Sequence, residues 1–294
     1  MRSSSTPERL VTTRRVSFDA VIADLPRHFA ADGDLVTSHV MAALSAVFPD
    51  GEDFFVRSVR AFRDQLTDPI LARQVAGFIG QESMHGREHR ALNARLGRLG
   101  YSTERVARFT RAGLRLRSRL LSATANLAAT AALEHFTATL AELLLGDAEA
   151  RRQCGHRGIT DLFLWHALEE SEHKAVAFDV YRAIGGSERT RTLTMNLVTA
   201  GFVLGTVVQV AVSLSLDPAT YRRGILWASL RRFRHSPFVQ RSVWRRLRDY
   251  NRRDFHPDDY DAGELVGRWR DELFGSAGAL RPLLTIAAAQ ADGA

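Results

Sequence analysis

A glutamate stands near the middle of an apolar run, with nothing beside it to balance its charge. From Leu127 to Leu145 the chain is almost wholly apolar, yet Glu134 falls inside it, and no lysine or arginine lies within the segment. At helical spacing its neighbours Thr130, Ala131, Thr137 and Ala138 are small and leave room around the carboxylate. An ionised glutamate buried alone costs several kcal/mol. A cation must therefore reach it from elsewhere in the chain or from solution, and a metal ion suits.

Two further stretches place acids and imidazoles on helices with the same character. One runs Phe78-Ile79-Gly80-Gln81-Glu82-Ser83-Met84-His85, the other Trp165-His166-Ala167-Leu168-Glu169-Glu170-Ser171-Glu172-His173. At about 100° per residue, Glu82 shares a face with His85, and Glu170 with His173. His166, Glu170 and His173 form a stripe about 60° wide, three adjacent donors on one rigid helix. A fourth contribution comes from Glu52, which shares a face with Phe55, Val56 and Val59, whereas Asp53 lies with Arg57 and Arg60. Glu52 is expected to point inward and Asp53 outward. The plainer reading of Glu52 is a first-turn acid that favours the helix dipole.

Four glutamates from four helices, with Glu-x-x-His on two of them, is the pattern of di-iron and di-manganese carboxylate bundles. The charges agree, because Glu52, Glu82, Glu134 and Glu170 cancel two divalent ions while His85, His166 and His173 ligate as neutral imidazoles. Oxygen-rich donors without thiolate favour iron, with manganese or zinc as alternatives. Cys154 is the single cysteine, which excludes a disulfide framework and a thiolate cluster. A core histidine bonded to a nearby carboxylate would explain one motif but not the set. His89, a turn beyond His85, reads as a supporting group or alternative ligand. His135 reads as supporting or packing, and Glu169 and Glu172 as facing away from the metals. His28, His39, His235 and His256 show no ligand spacing.

The punctuation predicts an all-α chain. Helices are expected from Asp34 to Phe48, stopped by Pro49-Asp50-Gly51, and from Glu52 to Leu66. Asp68-Pro69 starts another that lasts to Gly97. Ser102 opens a segment reaching Leu145 with one break, and Thr160 caps a helix ending at Gly185-Gly186. Residues 15–186 form the expected metal-binding bundle, 187–260 an uncharged helix with an arginine-rich segment, and 261–294 a C-terminal tail or helix. The stretch from Thr192 to Leu216 carries no charge and could span a bilayer by length. Its polar residues and basic flanks favour a buried bundle helix, with Gly201 and Gly205 allowing close helix approach.

The net charge is +7, and from Pro218 to Arg253 eleven arginines face one acid, Asp249. Such a face suits an anionic surface. No zinc finger, RNP-type sequence or basic zipper accompanies it, so no nucleic-acid partner is expected. Met1 to Arg15 is polar and lacks an apolar core, which leads to the expectation of a cytoplasmic protein, with membrane association through residues 192–253 admitted.

The runs Phe48-Pro49-Asp50-Gly51-Glu52, Phe78 to His85, Glu134-His135-Phe136-Thr137 and Trp165 to His173 resemble the bacterial family labelled "predicted metal-dependent hydrolase". The resemblance covers residues 15 to 265. The order Glu, Glu-x-x-His, Glu, His-x-x-x-Glu-x-x-His is also similar to the di-iron arylamine N-oxygenases, with His166 matching their additional histidine. The resemblance implies a ferritin-like bundle with a dinuclear site. The C-terminal half, with its uncharged helix and arginines, departs from the N-oxygenases.

Three functions fit this reading. The favoured one is an O2-activating oxygenase or oxidase acting on a small or lipid-like organic substrate, with Glu134 and His166 as catalytic residues. The others are a hydrolase that uses a metal-activated water and a non-catalytic metal-binding protein of membrane surfaces. A homodimer is compatible with each.

Overall fold

A computed structural model describes residues 8–285 and shows helices joined by turns and short 3-10 segments. In chain order these are α1 (Leu35–Arg60), α2 (Pro69–Arg98), α3 (Thr103–Leu120), α4 (Ala123–Gly146), α5 (Ala148–Gln153), α6 (Arg157–His173), α7 (Val176–Ala183), α8 (Glu188–Ser215), α9 (Ile225–Phe233), α10 (Arg241–Asp249) and α11 (Gly263–Phe274). The four donor-bearing helices α1, α2, α4 and α6 pack on one another as the central bundle. The protein is all-α, as the punctuation predicts.

Several boundaries differ from the expected ones, each for a physical reason. Pro49 does not stop a helix, because α1 runs through it to Arg60. A helical proline deprives the carbonyl four residues earlier of its donor. Here that carbonyl belongs to Ser45, and the Asn93 side-chain amide of α2 donates to it at 2.9 Å. A tertiary hydrogen bond thus replaces the lost local one, so Glu52 sits in mid-helix rather than in a first turn. The break between α3 and α4 falls at Leu121, where the Ser122 hydroxyl accepts from the Ala125 N–H.

Helix α6 begins before Thr160. The His156 side chain caps it, and the Thr160 hydroxyl donates back to the His156 carbonyl. This helix also ends before Gly185. The chain turns at Lys174, whose ammonium is buried against Glu142 (2.8 Å) and the Tyr260 carbonyl (2.5 Å), and α7 follows. Among the C-terminal residues described, α11 packs on α6 and α4, and the Trp269 indole donates to the Leu145 carbonyl at 2.8 Å. Residues 286–294 of the expected tail lie outside the described residues.

The N-terminal segment lies directly on α2. A side-chain carbon at Gly77 would sit 2.2 Å from the Val11 carbonyl oxygen, and one at Gly80 would sit 2.0 Å from the Thr13 hydroxyl. Gly77 lets the chain pass at backbone distance, Gly80 makes room for the Thr13 side chain, and the segment carries Arg14 into the bundle.

The uncharged helix is not buried as expected. One face of α8 packs on α4 and α1, with Phe202 against Phe136 at 5.2 Å between ring centroids. Yet only 17% of its most apolar window is buried. Leu193, Leu197, Leu204, Val207 and Val208 are each more than half exposed, and nothing comes near Gly201 or Gly205 among the described residues. By length and composition this is the one described helix able to cross a membrane.

Asn93→Ala removes the only group that replaces the missing donor of Pro49 and leaves a backbone carbonyl unpaired. Urea unfolding is expected to show a loss of about 1–3 kcal/mol. An unchanged midpoint would mean that the Ser45 carbonyl has found another partner.

Candidate metal centre

All seven donors read from the sequence converge in the centre of the bundle. Glu52 comes from α1, Glu82 and His85 from α2, Glu134 from α4, and His166, Glu170 and His173 from α6. None is more than 4% exposed. Two groups of ligand atoms lie within 4.8 Å of one another, Glu52–His85–His166 and Glu82–Glu170–His173. Glu134 joins the second, its carboxylate 3.3 Å from His173 Nε2.

Two carboxylates span both groups. Glu170 places Oε1 2.9 Å from His166 Nε2 and 3.6 Å from His85 Nδ1, while its Oε2 is 3.7 Å from His173 Nε2. Glu82 Oε1 lies 3.1 Å from His173 Nε2 and 3.8 Å from His85 Nδ1. Glu52 and Glu134 flank opposite ends. The arrangement is a central pair of acids, an outer pair, and imidazoles at both ends.

Each histidine is held by its other nitrogen, and groups that can only accept fix the direction. His85 Nε2–H donates to Glu169 at 3.1 Å, which frees Nδ1 for the centre. Gln81 must turn its amide nitrogen to Glu172 (2.9 Å) and the Thr12 carbonyl (3.1 Å), so its oxygen faces His173 Nδ1–H at 2.9 Å. Asn93 must turn its nitrogen to the Ser45 carbonyl, so its oxygen accepts from the Ser45 hydroxyl at 2.8 Å. That hydroxyl in turn accepts from His89 Nδ1–H at 2.9 Å, leaving His89 Nε2 to accept from His166 Nδ1–H at 2.6 Å. The three nitrogens aimed at the centre are therefore the ones that can ligate.

Behind this layer sits a second set of buried charges. Arg14 bonds Glu169 at 3.0 Å and Glu172 twice at 2.8 Å, and Arg270 meets Glu172 at 3.0 Å. Glu169 and Glu172 do face away from the centre, but Glu169 itself aims His85 and Glu172 bonds the Gln81 amide that aims His173. The sequence reading missed Arg14, Arg270, Gln81 and Asn93 in these supporting roles. A signal was present in Glu169 and Glu172, two more acids on a helix already crowded with buried side chains. His89 takes the supporting position behind His166. His135 packs instead, with Nε2 on the Arg246 carbonyl (2.9 Å) and its ring against Tyr250 and Phe255.

His28 and His39 do meet an acid despite lacking ligand spacing. Both ring Nε2 atoms lie against Asp217 Oδ2, at 2.9 and 3.1 Å. The Arg27 guanidinium contacts the same oxygen at 3.1 Å. A cation would compete there with a charge already in place, so this knot ties the end of α8 to the N-terminal segment. His256 bonds Asp179. Cys154 is a buried thiol that joins none of the candidate metal groups among the described residues.

The donor set fits metal ions. Both carboxylate oxygens of Glu52, Glu82 and Glu134, Oε2 of Glu170, Nδ1 of His85 and Nε2 of His173 are all buried and lack a hydrogen-bond partner. So many orphaned atoms in one place are abnormal for a protein interior. Protons take the place of cations when none is bound. Burial, with repulsion from Glu82, pushes Glu52 well up. Burial, with Glu170 and Glu82, pushes Glu134 up to about 8. Burial opposes charge on His85, but the Glu169 and Glu82 contacts win and carry it up to about 10. His173 is likewise raised, through Glu134 and Glu170. Burial and the neighbouring imidazoles hold His89 well down and thus neutral.

Glu134 and His85 therefore carry protons near neutral pH, Glu52 and His173 hold theirs more tightly than free groups do, and metal must displace them. Loading divalent ions is expected to release protons. Because Glu134 is pushed up to about 8 and His85 up to about 10, affinity should climb as pH rises from about 6 to about 8. Calorimetry in buffers of different ionisation enthalpy counts the protons, and loading without release would contradict the charge balance. Glu134→Ala is expected to lower bound metal by at least about half, measured by elemental analysis, whereas His256→Ala leaves it unchanged. Full metal content in the Glu134 variant would remove that residue from the centre.

No curated protein and no solved structure matches the chain. A family model described as "Predicted metal-dependent hydrolase" matches residues 12–261, a span that contains every donor named above. The chain belongs to this family of predicted metal-dependent hydrolases.

Proposed function

We propose that the protein is a dinuclear non-haem metal enzyme that uses O2 to oxidise a small or lipid-like organic substrate. The observation that carries this reading is four buried carboxylates at one centre, enough negative charge to balance two divalent ions. Four anionic donors neutralise two such ions fully, which weakens them as Lewis acids. The same donors stabilise the extra positive charge that oxidation of the metals would create. Bound iron would supply the electrons for O2 reduction, whereas zinc or manganese would supply a water of lowered pKa for hydrolysis.

The chain's own residues have distinct parts in this scheme. Glu82 and Glu170, spanning both groups of donors, would hold the two ions together. Glu52 and Glu134 are the outer acids, free to change how they bind as charge changes. Thr130, Ala131 and Ala138 beside Glu134 on α4 are small, which favours its side as the one where substrate reacts. With its pKa lifted to about 8, the Glu134 carboxyl can hold or release a proton near neutral pH when it is not ligating. His166 would hold metal through Nε2, with His89 accepting from its Nδ1–H. Phe48 packs on His166 at 4.8 Å and Phe78 on His173 at 4.9 Å, and both exclude water.

A hydrolytic reading is favoured by the description of the family to which the chain belongs. The two readings separate by the need for oxygen. Protein loaded anaerobically with iron(II) is expected to bind two irons per chain, to consume O2 and to pass through a transient coloured state. Full turnover of an ester or phosphate substrate by the zinc or manganese form under strict anaerobiosis, with no O2 uptake by the iron form, would overturn oxidation in favour of hydrolysis.

A further inference from the structure

The exposed apolar face of α8 is not a random scatter of side chains. Leu193, Leu197, Leu204, Val208 and Ala211 recur at helical spacing along one side, and Val207 lies beside them. At 1.5 Å per residue the stripe is about 27 Å long. A continuous exposed apolar patch of this length on a soluble monomer marks a contact surface.

Two arginine-rich helices border it. Toward the end of α8, α9 shares a small core with it, in which Leu226 and Phe233 lie near Val210 and Leu214. Toward its start, Trp244, Leu247 and Arg248 of α10 line a cleft with Met195, Asn196 and Thr199 of α8. Three of the eleven arginines between Pro218 and Arg253 form ion pairs, namely Arg232, Arg246 and Arg252. The others, Arg222, Arg223, Arg231, Arg234, Arg245 and Arg248 among them, are exposed and pair with no acid among the described residues. Tyr221 and Trp227, 73% and 75% exposed, stand among these arginines.

We infer that this face seats the protein on an anionic lipid bilayer, with α8 lying in the plane of the interface. An apolar stripe flanked by unpaired arginines and exposed aromatic rings is the chemistry of the headgroup boundary. The charge surplus selects an anionic surface over a neutral one. Crossing the bilayer would require stripping α8 from α4 and α1, including the Phe136–Phe202 contact, so the helix lies on the membrane rather than through it. The seat is independent of the metal chemistry, and protein without metal binds as well as loaded protein.

Flotation of the full chain with phosphatidylcholine vesicles, with and without a third phosphatidylglycerol, tests this. Binding is expected only to the anionic vesicles and is expected to fall as salt rises. Leu204→Glu with Val208→Glu should abolish it. Both side chains are exposed, so melting temperature and metal content should stay unchanged. Arg222→Gln with Arg223→Gln should weaken partitioning by roughly tenfold or more. Trp227 fluorescence should shift to the blue on binding and be quenched by brominated lipid, and Trp227→Phe should lose most of that response. A chain that stays with the soluble fraction would overturn the inference. So would one whose α8 variants convert a dimer to a monomer without changing flotation, because a second copy would then be what covers the face.

Discussion

Four carboxylates and three imidazoles cannot share a dry interior unless positive charge is supplied among them. The repulsion is severe inside a protein, where water does not screen it, and ligand oxygens of Glu82 and Glu170 lie within 4.8 Å of each other. The chain can meet that demand with protons or with metal ions, and its geometry is built for the second. Protons leave the oxygens of Glu52, Glu82 and Glu134 without partners, and divalent ions can engage them together. The bundle is thus a frame whose central feature is complete only with something bound, and its packing holds the donors in place without letting them relax onto one another.

What keeps the frame from collapsing is a second ring of charge that is already balanced. Arg14 and Arg270 face Glu169 and Glu172, and neither acid turns toward the centre. The bare glycine surface of α2 matters here, because the segment that carries Arg14 lies at backbone distance over Gly77 and seats the Thr13 side chain on Gly80. This arrangement also makes the two ends unequal. His85 leans on an anionic carboxylate, which makes it the stronger donor, whereas His173 leans on the neutral amide of Gln81 and His166 on a neutral imidazole.

The inner donors were legible in the sequence because the rule they break is local. Glu134 in an apolar run, and His166, Glu170 and His173 on one stripe, can be read from spacing alone. The supporting residues depend on tertiary contacts that spacing does not encode. Arg14 lies 155 residues from Glu169 along the chain and looks like any arginine of a polar terminus. His28, His39 and Asp217 meet only because α8 returns to α1. The same reasoning explains the misjudged helix. An uncharged helix reads alike whether its far side meets protein, lipid or solvent, and only the packing of its neighbours shows that one face of α8 was left uncovered.

Pro49 shows how a local rule and a distant site become one constraint. A proline at that position would ordinarily end the helix, and doing so would leave Glu52 in a first turn, free to swing. The helix continues because Asn93 supplies a donor to the Ser45 carbonyl. Having spent its nitrogen there, Asn93 can offer only oxygen to the Ser45 hydroxyl, which must then accept from His89. His89, neutral and committed at Nδ1, has only a lone pair at Nε2 to offer His166. The proton that His166 donates to His89 is therefore on Nδ1, and its Nε2 is the nitrogen that faces Glu170, at 2.9 Å. A missing backbone hydrogen in α1 thus determines, through four side chains, which nitrogen of His166 is able to bind a metal.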